Sequence, residues 1–176
     1  EENDFEKFDN YRFYMPEQIE WSLFEKHYED VPGRLETIKK RLKTGNYICF
    51  AYLDYITGNI AYTRWLCRHT FFSETLRKEL IFSSKEAITL DSYTHPDYRK
   101  KGLHKKMNIY MLHWIKENTS IQYVYMVIKC FFPHLTRIPR ELGYKPVEKV
   151  VYYKKGSCTY SSKLILRKFC KSVKTI

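Results

Sequence analysis

Apolar positions recur at two different periods along the chain, and the switches between them mark out the elements. Tyr11 to Met15 reads as a first short strand. From Pro16 to His27, Ile19, Leu23 and Phe24 fall at helical spacing, with Pro16 acceptable in a first turn. A second helix is predicted from Pro32 to Lys43, carrying Leu35, Ile38 and Leu42 on one stripe and Gly45 as its stop. NYICFAYLD and NIAYTRWLCR then read as two strands around a turn near Thr57-Gly58. From His69 to Lys85 no period holds, and a long loop is expected. AITLDSYTH is a strand bounded by Pro96. Gly102 opens a helix to about Asn118, with Leu103, Met107, Tyr110, Met111, Trp114 and Ile115 on its apolar side. QYVYMVIKC is β-rich, a segment with Pro133 and Pro139 ends at Leu142-Gly143, and YKPVEKVVYYK closes as a strand.

A strand, a helix and a further strand in that order make a βαβ unit, which implies parallel pairing with a right-handed crossover. The fold class expected is therefore α/β, a mixed sheet flanked by helices, with Ala87–His95 as its central strand. No repeat and no low-complexity linker interrupts the chain, so residues 1–154 read as one domain. Residues 155–176 read as a basic C-terminal extension packed on the domain or trailing from it. Within it, KLILRKFCKSVKTI is loosely amphipathic on either period, which suits contact with an acidic surface or an added edge strand.

Composition excludes several classes. At 176 residues, 44% hydrophobic and 17% aromatic, the chain is too apolar to be disordered despite 29% charged residues. No apolar run reaches the length of a bilayer span, and EENDFEKFDN does not read as a signal peptide. Five cysteines, odd in number and without a C-x-x-C pair, argue for reduced thiols, against a zinc site and for a cytoplasmic setting.

Charge adds a direction. The net charge of +11 is uneven: residues 1–30 hold ten of the twenty acids and three of the thirty-one bases, whereas eighteen bases and three acids follow from Arg99 onward. So basic a half expects an anionic partner. The cations concentrate in HPDYRKKGLHKKM, where five of the eight residues from Arg99 to Lys106 are Lys or Arg. A helix start disfavours cations, because the macrodipole already places partial positive charge there. It favours them once a multiply charged anion sits on the outward amides, and a glycine lets the backbone approach a phosphate closely. Gly102 at the centre of the cluster makes a diphosphate site one reading, and a solvated basic turn the other.

The stretch from Tyr93 to His104 resembles the acyl-CoA-binding segment of the GNAT (Gcn5-related N-acetyltransferase) superfamily. In that family a strand ends in a V-x-P-x-Y-R-like segment and passes into R/Q-x-x-G-x-G/A; Arg99, Gly102 and His104 occupy the R/Q, G and G/A positions. The order of elements over residues 11–154 is similar too, and Leu142-Gly143-Tyr144 is similar to the family's L-G-F/Y. The resemblance implies an N-acyltransferase, most simply one using acetyl-CoA, that moves an acyl group to a primary amine by direct attack in a ternary complex. It implies no metal. Arg99, Lys100, Lys101, Gly102, Leu103, His104 and Lys105 would hold the diphosphate of coenzyme A, and an amide near Tyr93 or Thr94 would stabilise the oxyanion. The edge of Leu90–Thr94, opened by a bulge, would pair with the pantetheine arm.

Amine attack needs a proton acceptor. Asp91, a carboxylate within the central strand, is the candidate; its alternative is an ion pair with Arg64, Arg68 or another basic neighbour on an adjacent strand. Three positions depart from the family pattern. His104 stands where a small residue is expected and is itself a candidate phosphate contact. Phe132 replaces a frequent Asn, and Pro139 falls where a Tyr often serves as general acid, leaving Tyr144, Cys130 or solvent to protonate the thiolate. His134 reads as a helix-surface residue. The acceptor, a small-molecule or peptide amine, is not specified, though the acidic N-terminal helices favour a cationic one. An acidic carrier protein as donor, contact with a membrane surface, and a non-catalytic module binding nucleic acid are the alternatives. The last fits less well, since the cations gather at one helix start instead of along a groove.

Overall fold

Strand β3 (Tyr47–Asp54) is buried along nearly its whole length, and this follows from where its alternate side chains go. Cys49, Ala51 and Leu53 join a core with Ile19, Phe24, Tyr28, Ile38, Ile60 and Trp65. Phe50 and Tyr52 point the other way, where Phe50 meets Trp114 edge-on at 5.4 Å. A sheet covered on two faces needs continuous apolar runs, which is why NYICFAYLD shows so little alternation. The computed structural model describes residues 7–8, 11–14, 19–73, 78–129, 133–154 and 159–170.

Two compact units emerge, each best taken alone. The first comprises residues 1–67 and 90–114. Its strands run in the order β1 (Lys7–Phe8), β2 (Tyr11–Tyr14), β3, β4 (Ile60–Arg68) and the second half of β7 (Glu86–Thr94). Helices α1 (Trp21–His27) and α2 (Arg34–Thr44) cover one face. Helix α3 (Leu103–Asn118), through Trp114, covers the other. Helix α1 is shorter than the expected Pro16–His27, and residues 15–18 lie outside the described ones. Helix α2 ends at Gly45 with φ of 64°, the left-handed stop expected there.

The second unit comprises residues 68–89 and 115–176. The expected long loop contains a hairpin of β5 (Thr70–Ser73) and β6 (Lys78–Ile81). The βαβ expectation holds: the first half of β7 pairs parallel with β8 (Tyr123–Lys129), from Glu86↔Tyr123 to Thr89↔Met126. The proline-bearing segment forms α4 (Pro133–Glu141), and Gly143 after it has φ of 78°. The tail corrects its sequence reading. Strand β10 (Thr159–Phe169) pairs antiparallel with β8 on one side and with β9 (Lys145–Lys154) on the other, so it is an interior strand and not an edge or a trailing extension. Ile165, Leu166 and Cys170 are buried, which places these three side chains in a core. No helix among the described residues is long and apolar enough to cross a membrane.

Candidate active site

Strand β7 passes through a 3-10 turn, Pro96–Tyr98, into the basic loop and then α3. The loop carries two left-handed residues, Lys100 at φ 64° and Gly102 at φ 75°. A non-glycine residue there costs roughly 1–2 kcal/mol, so the loop is shaped at some expense. Space outside Gly102 is open: a Cβ built on it meets nothing within 4 Å. Arg99 ties the loop back to its strand, its Nε donating to the Thr94 carbonyl at 3.4 Å. The amides of Lys105 and Lys106 both donate to the Gly102 carbonyl, at 3.1 and 3.3 Å, leaving the earlier amides of the first turn to face outward. Lys105 therefore brings its ammonium, not its amide, to any anion.

Arg99, Lys100, Lys101, Lys105 and Lys106 are all exposed, whereas Leu103 is buried and anchors the helix start. The Lys101 ammonium lies 5.1 Å from the Tyr98 ring centroid and 5.9 Å from that of Tyr11, and hydrogen bonding to Tyr11 raises its pKa. His104 does not project with these cations. Its Nδ1 is 2.8 Å from the Tyr62 hydroxyl, and burial, helped by Arg64, pushes its pKa down to about 4. It is thus a neutral ring turned towards β4 at ordinary pH, and an anion at the loop would meet its backbone.

Within Leu90–Thr94, where a bulge is expected, Asp91 adopts φ of 45°. Its carboxylate has partners from α2, not the expected Arg64 or Arg68: Oδ2 accepts from Arg41 and from Arg34, the latter at 3.1 Å. Arg41 in turn lies 5.3 Å from the Tyr47 ring centroid and 5.5 Å from that of Trp65.

Beyond Asp91, Tyr93 packs at 5.2 Å on Tyr28 and at 5.0 Å on His27. His27 is buried with both nitrogens engaged: Nδ1 donates to the Ile60 carbonyl at 2.9 Å, and Nε2 lies 3.3 Å from the Thr63 hydroxyl, which also meets the Tyr28 hydroxyl. Burial pushes its pKa down to about 3. His95 lies beside it, the ring planes 29° apart and the centroids at 6.2 Å. These two histidines border a pocket of about 200 Å³ with Glu29, Asn59, Asp97 and Tyr98 also in its wall. Sequence reasoning passed over His27, Thr63 and His95, although His95 opens the quoted HPDYRKKGLHKKM and Thr63 is a buried hydroxyl within an apolar strand. Of the candidate acids, Tyr144 is buried in the second unit, while Cys130 and Phe132 lie outside the described residues, as does the side chain of His134.

No family model matches the chain, and no curated protein does either. Solved structures do. A ribosomal-protein-S5-alanine acetyltransferase from Vibrio fischeri is 12% identical with a TM-score of 0.64, over 96% of this chain and 98% of that one. A spermidine N-acetyltransferase SpeG chimera from Vibrio cholerae and hSSAT is 11% identical with a TM-score of 0.68, over 94% and 98%. The chain has the GNAT fold. A third GNAT structure, Arabidopsis thaliana NAA60, was solved in complex with acetyl-CoA; it is 11% identical, with a TM-score of 0.64, over 92% of this chain and 99% of that one. At such identities the likeness is one of backbone, and the chemistry has to be argued from the residues.

Proposed function

We propose that the protein is an N-acyltransferase, using acetyl-CoA and a primary amine. The observation that carries this reading is the open left-handed loop at Gly102, ringed by five exposed cations and set between a strand and a helix start. Arg99, Lys100, Lys101 and Lys105 supply charge to the diphosphate, while the amides of Gly102, Leu103 and His104 supply hydrogen bonds. An amide near Tyr93 or Thr94 holds the thioester carbonyl and stabilises the charge that develops on it. The amine attacks the thioester carbon, a C–N bond forms, the C–S bond breaks, and the thiolate leaves with a proton. Asp91 serves as a positioning residue, because its carboxylate joins Arg34 and Arg41 to strand β7. The same exposed cations also suit an acidic carrier protein as the thioester's bearer.

Calorimetric titration with acetyl-CoA and desulfo-CoA at two salt concentrations tests the reading. Micromolar binding that weakens modestly with salt is expected. Gly102→Asn fills the open space at a smaller backbone cost, since Asn enters the left-handed region more readily than other side chains. Gly102→Val fills it at a backbone cost of roughly 1–2 kcal/mol. Both variants should lose at least tenfold in donor affinity, and the Asn variant should melt near the wild-type temperature. Wild-type affinity in the Asn variant would place the donor elsewhere.

A further inference from the structure

The pocket beside His95 has a composition of its own. Glu29 and Asp97 bring carboxylates to its wall, Leu23 and Ile60 give it apolar sides, and Lys26 is the cation among its lining residues. His95 stands in it one residue beyond Thr94, with its side chain mostly buried. Its Nδ1 has no hydrogen-bond partner among the described residues, and Asp97 Oδ2 lies 3.7 Å away. With Nδ1 facing that carboxylate, Nε2 is the nitrogen left for a ligand. Resting on the acyltransferase reading above, we propose that this pocket admits the acceptor as an aliphatic ammonium and that His95 takes its proton.

The chemistry balances as follows. The ammonium enters against Glu29 and Asp97 and gives one proton to His95 Nε2, becoming a neutral amine. Attack on the thioester carbon forms the C–N bond and breaks the C–S bond, and the second nitrogen proton passes to the departing thiolate. The imidazolium, faced by Asp97, then releases its proton to solvent. His27 cannot substitute: both its nitrogens are spent on Ile60 and Thr63, and it holds the neighbouring ring in place at 6.2 Å. Among the described residues, the charged and titratable groups that line the pocket with His95 are Asp97 and Tyr98 from its own segment and Lys26, His27 and Glu29 from the α1 region.

The test uses the full chain, acetyl-CoA, and four amines: butane-1,4-diamine, lysine, glucosamine and an alanine-initiated peptide, with thiol release followed from pH 5.5 to 9. The aliphatic diamine should be the best acceptor, with kcat/KM rising along an acid limb. His95→Gln should lower kcat/KM by 10²–10⁴-fold and flatten that limb, while donor affinity stays within about twofold. Asp97→Asn, a change at an exposed carboxylate, should raise KM for the diamine with kcat nearly unchanged and little loss of stability. An unchanged acid limb in His95→Gln overturns the assignment, and so does acetylation of glucosamine in preference to the diamine. Failure of the wild type to bind acetyl-CoA would instead remove the acyltransferase reading and this one with it.

Discussion

Acidification from pH 6.5 downwards is expected to cost the native state about 1.4 kcal/mol per pH unit for each histidine that burial keeps neutral. Two are placed to do so, with pKa values pushed from 6.5 to about 3 for His27 and about 4 for His104. In the unfolded chain both rings take up a proton near their ordinary value. In the native state they refuse it, so the unfolded state binds more protons throughout the window. Stability therefore rises with pH between each native value and 6.5, and the contribution is complete above that. Between about pH 6 and pH 4 both groups act and the slope roughly doubles. Two pH units thus cost about 4–5 kcal/mol, a large share of a typical total of about 5–15 kcal/mol. Urea midpoints at pH 7.5, 6 and 5 measure this. His27→Gln, which keeps one of the two side-chain bonds, should remove about half of the slope. A midpoint unchanged between pH 7.5 and pH 5 would mean that the rings ionise without penalty.

The second large effect concerns Asp91, where charge and backbone can be separated by substitution. Asp91→Ala should destabilise by about 2–4 kcal/mol, because it strands the Arg41 guanidinium between two rings without its carboxylate. The figure sits at the low end for a buried pair, since the Asp91 side chain is 30% exposed while that of Arg41 is 11% exposed. It includes roughly 1 kcal/mol for an alanine at a φ of 45°. Asp91→Gly loses the ion pairs but relaxes the backbone, and Asp91→Asn keeps both an acceptor oxygen and tolerance of the left-handed region. Thermal melts should therefore rank Asn above Gly and Gly above Ala. Equal losses for Gly and Ala would deny the left-handed backbone at Asp91 any share. In the transfer assay, Asp91→Asn should retain the acid limb of the pH profile; its disappearance would make Asp91 the proton acceptor and displace His95.

What could be read in advance, and what could not, divides along a physical line. Strands β3, β4, β7 and β8 and helices α2 and α3 were legible because each presents an apolar face or run to a core formed by its neighbours. The loop at Gly102 was legible because its chemistry is local: a glycine and five cations lie within eight residues. The Asp91 partners were not, because Arg34 and Arg41 lie some fifty residues earlier and a helix stripe does not say which strand residue its polar edge will meet. The direction of the His104 ring was not legible for the same reason, since its partner Tyr62 lies on a distant strand. The hairpin of β5 and β6 escaped notice because Phe72 and Ile81 are exposed, so no burial pattern marks it. His27 and His95 come together only once α1 lies against the end of β7.

Strand β10 carries a consequence for how the second unit is made. Strand β8 leaves the ribosome with one neighbour already synthesised, β7, but its other side must wait until residues 159–169 have been translated. Until then β8 offers an unpaired ladder of the kind that recruits foreign strands. Pairing that spans the intervening helix and strand also makes this a slow, non-local step. A premature stop before Thr159 would therefore leave β8 and β9 each lacking a shared partner, and nascent chains arrested there should cross-link to chaperones more readily than chains released at full length.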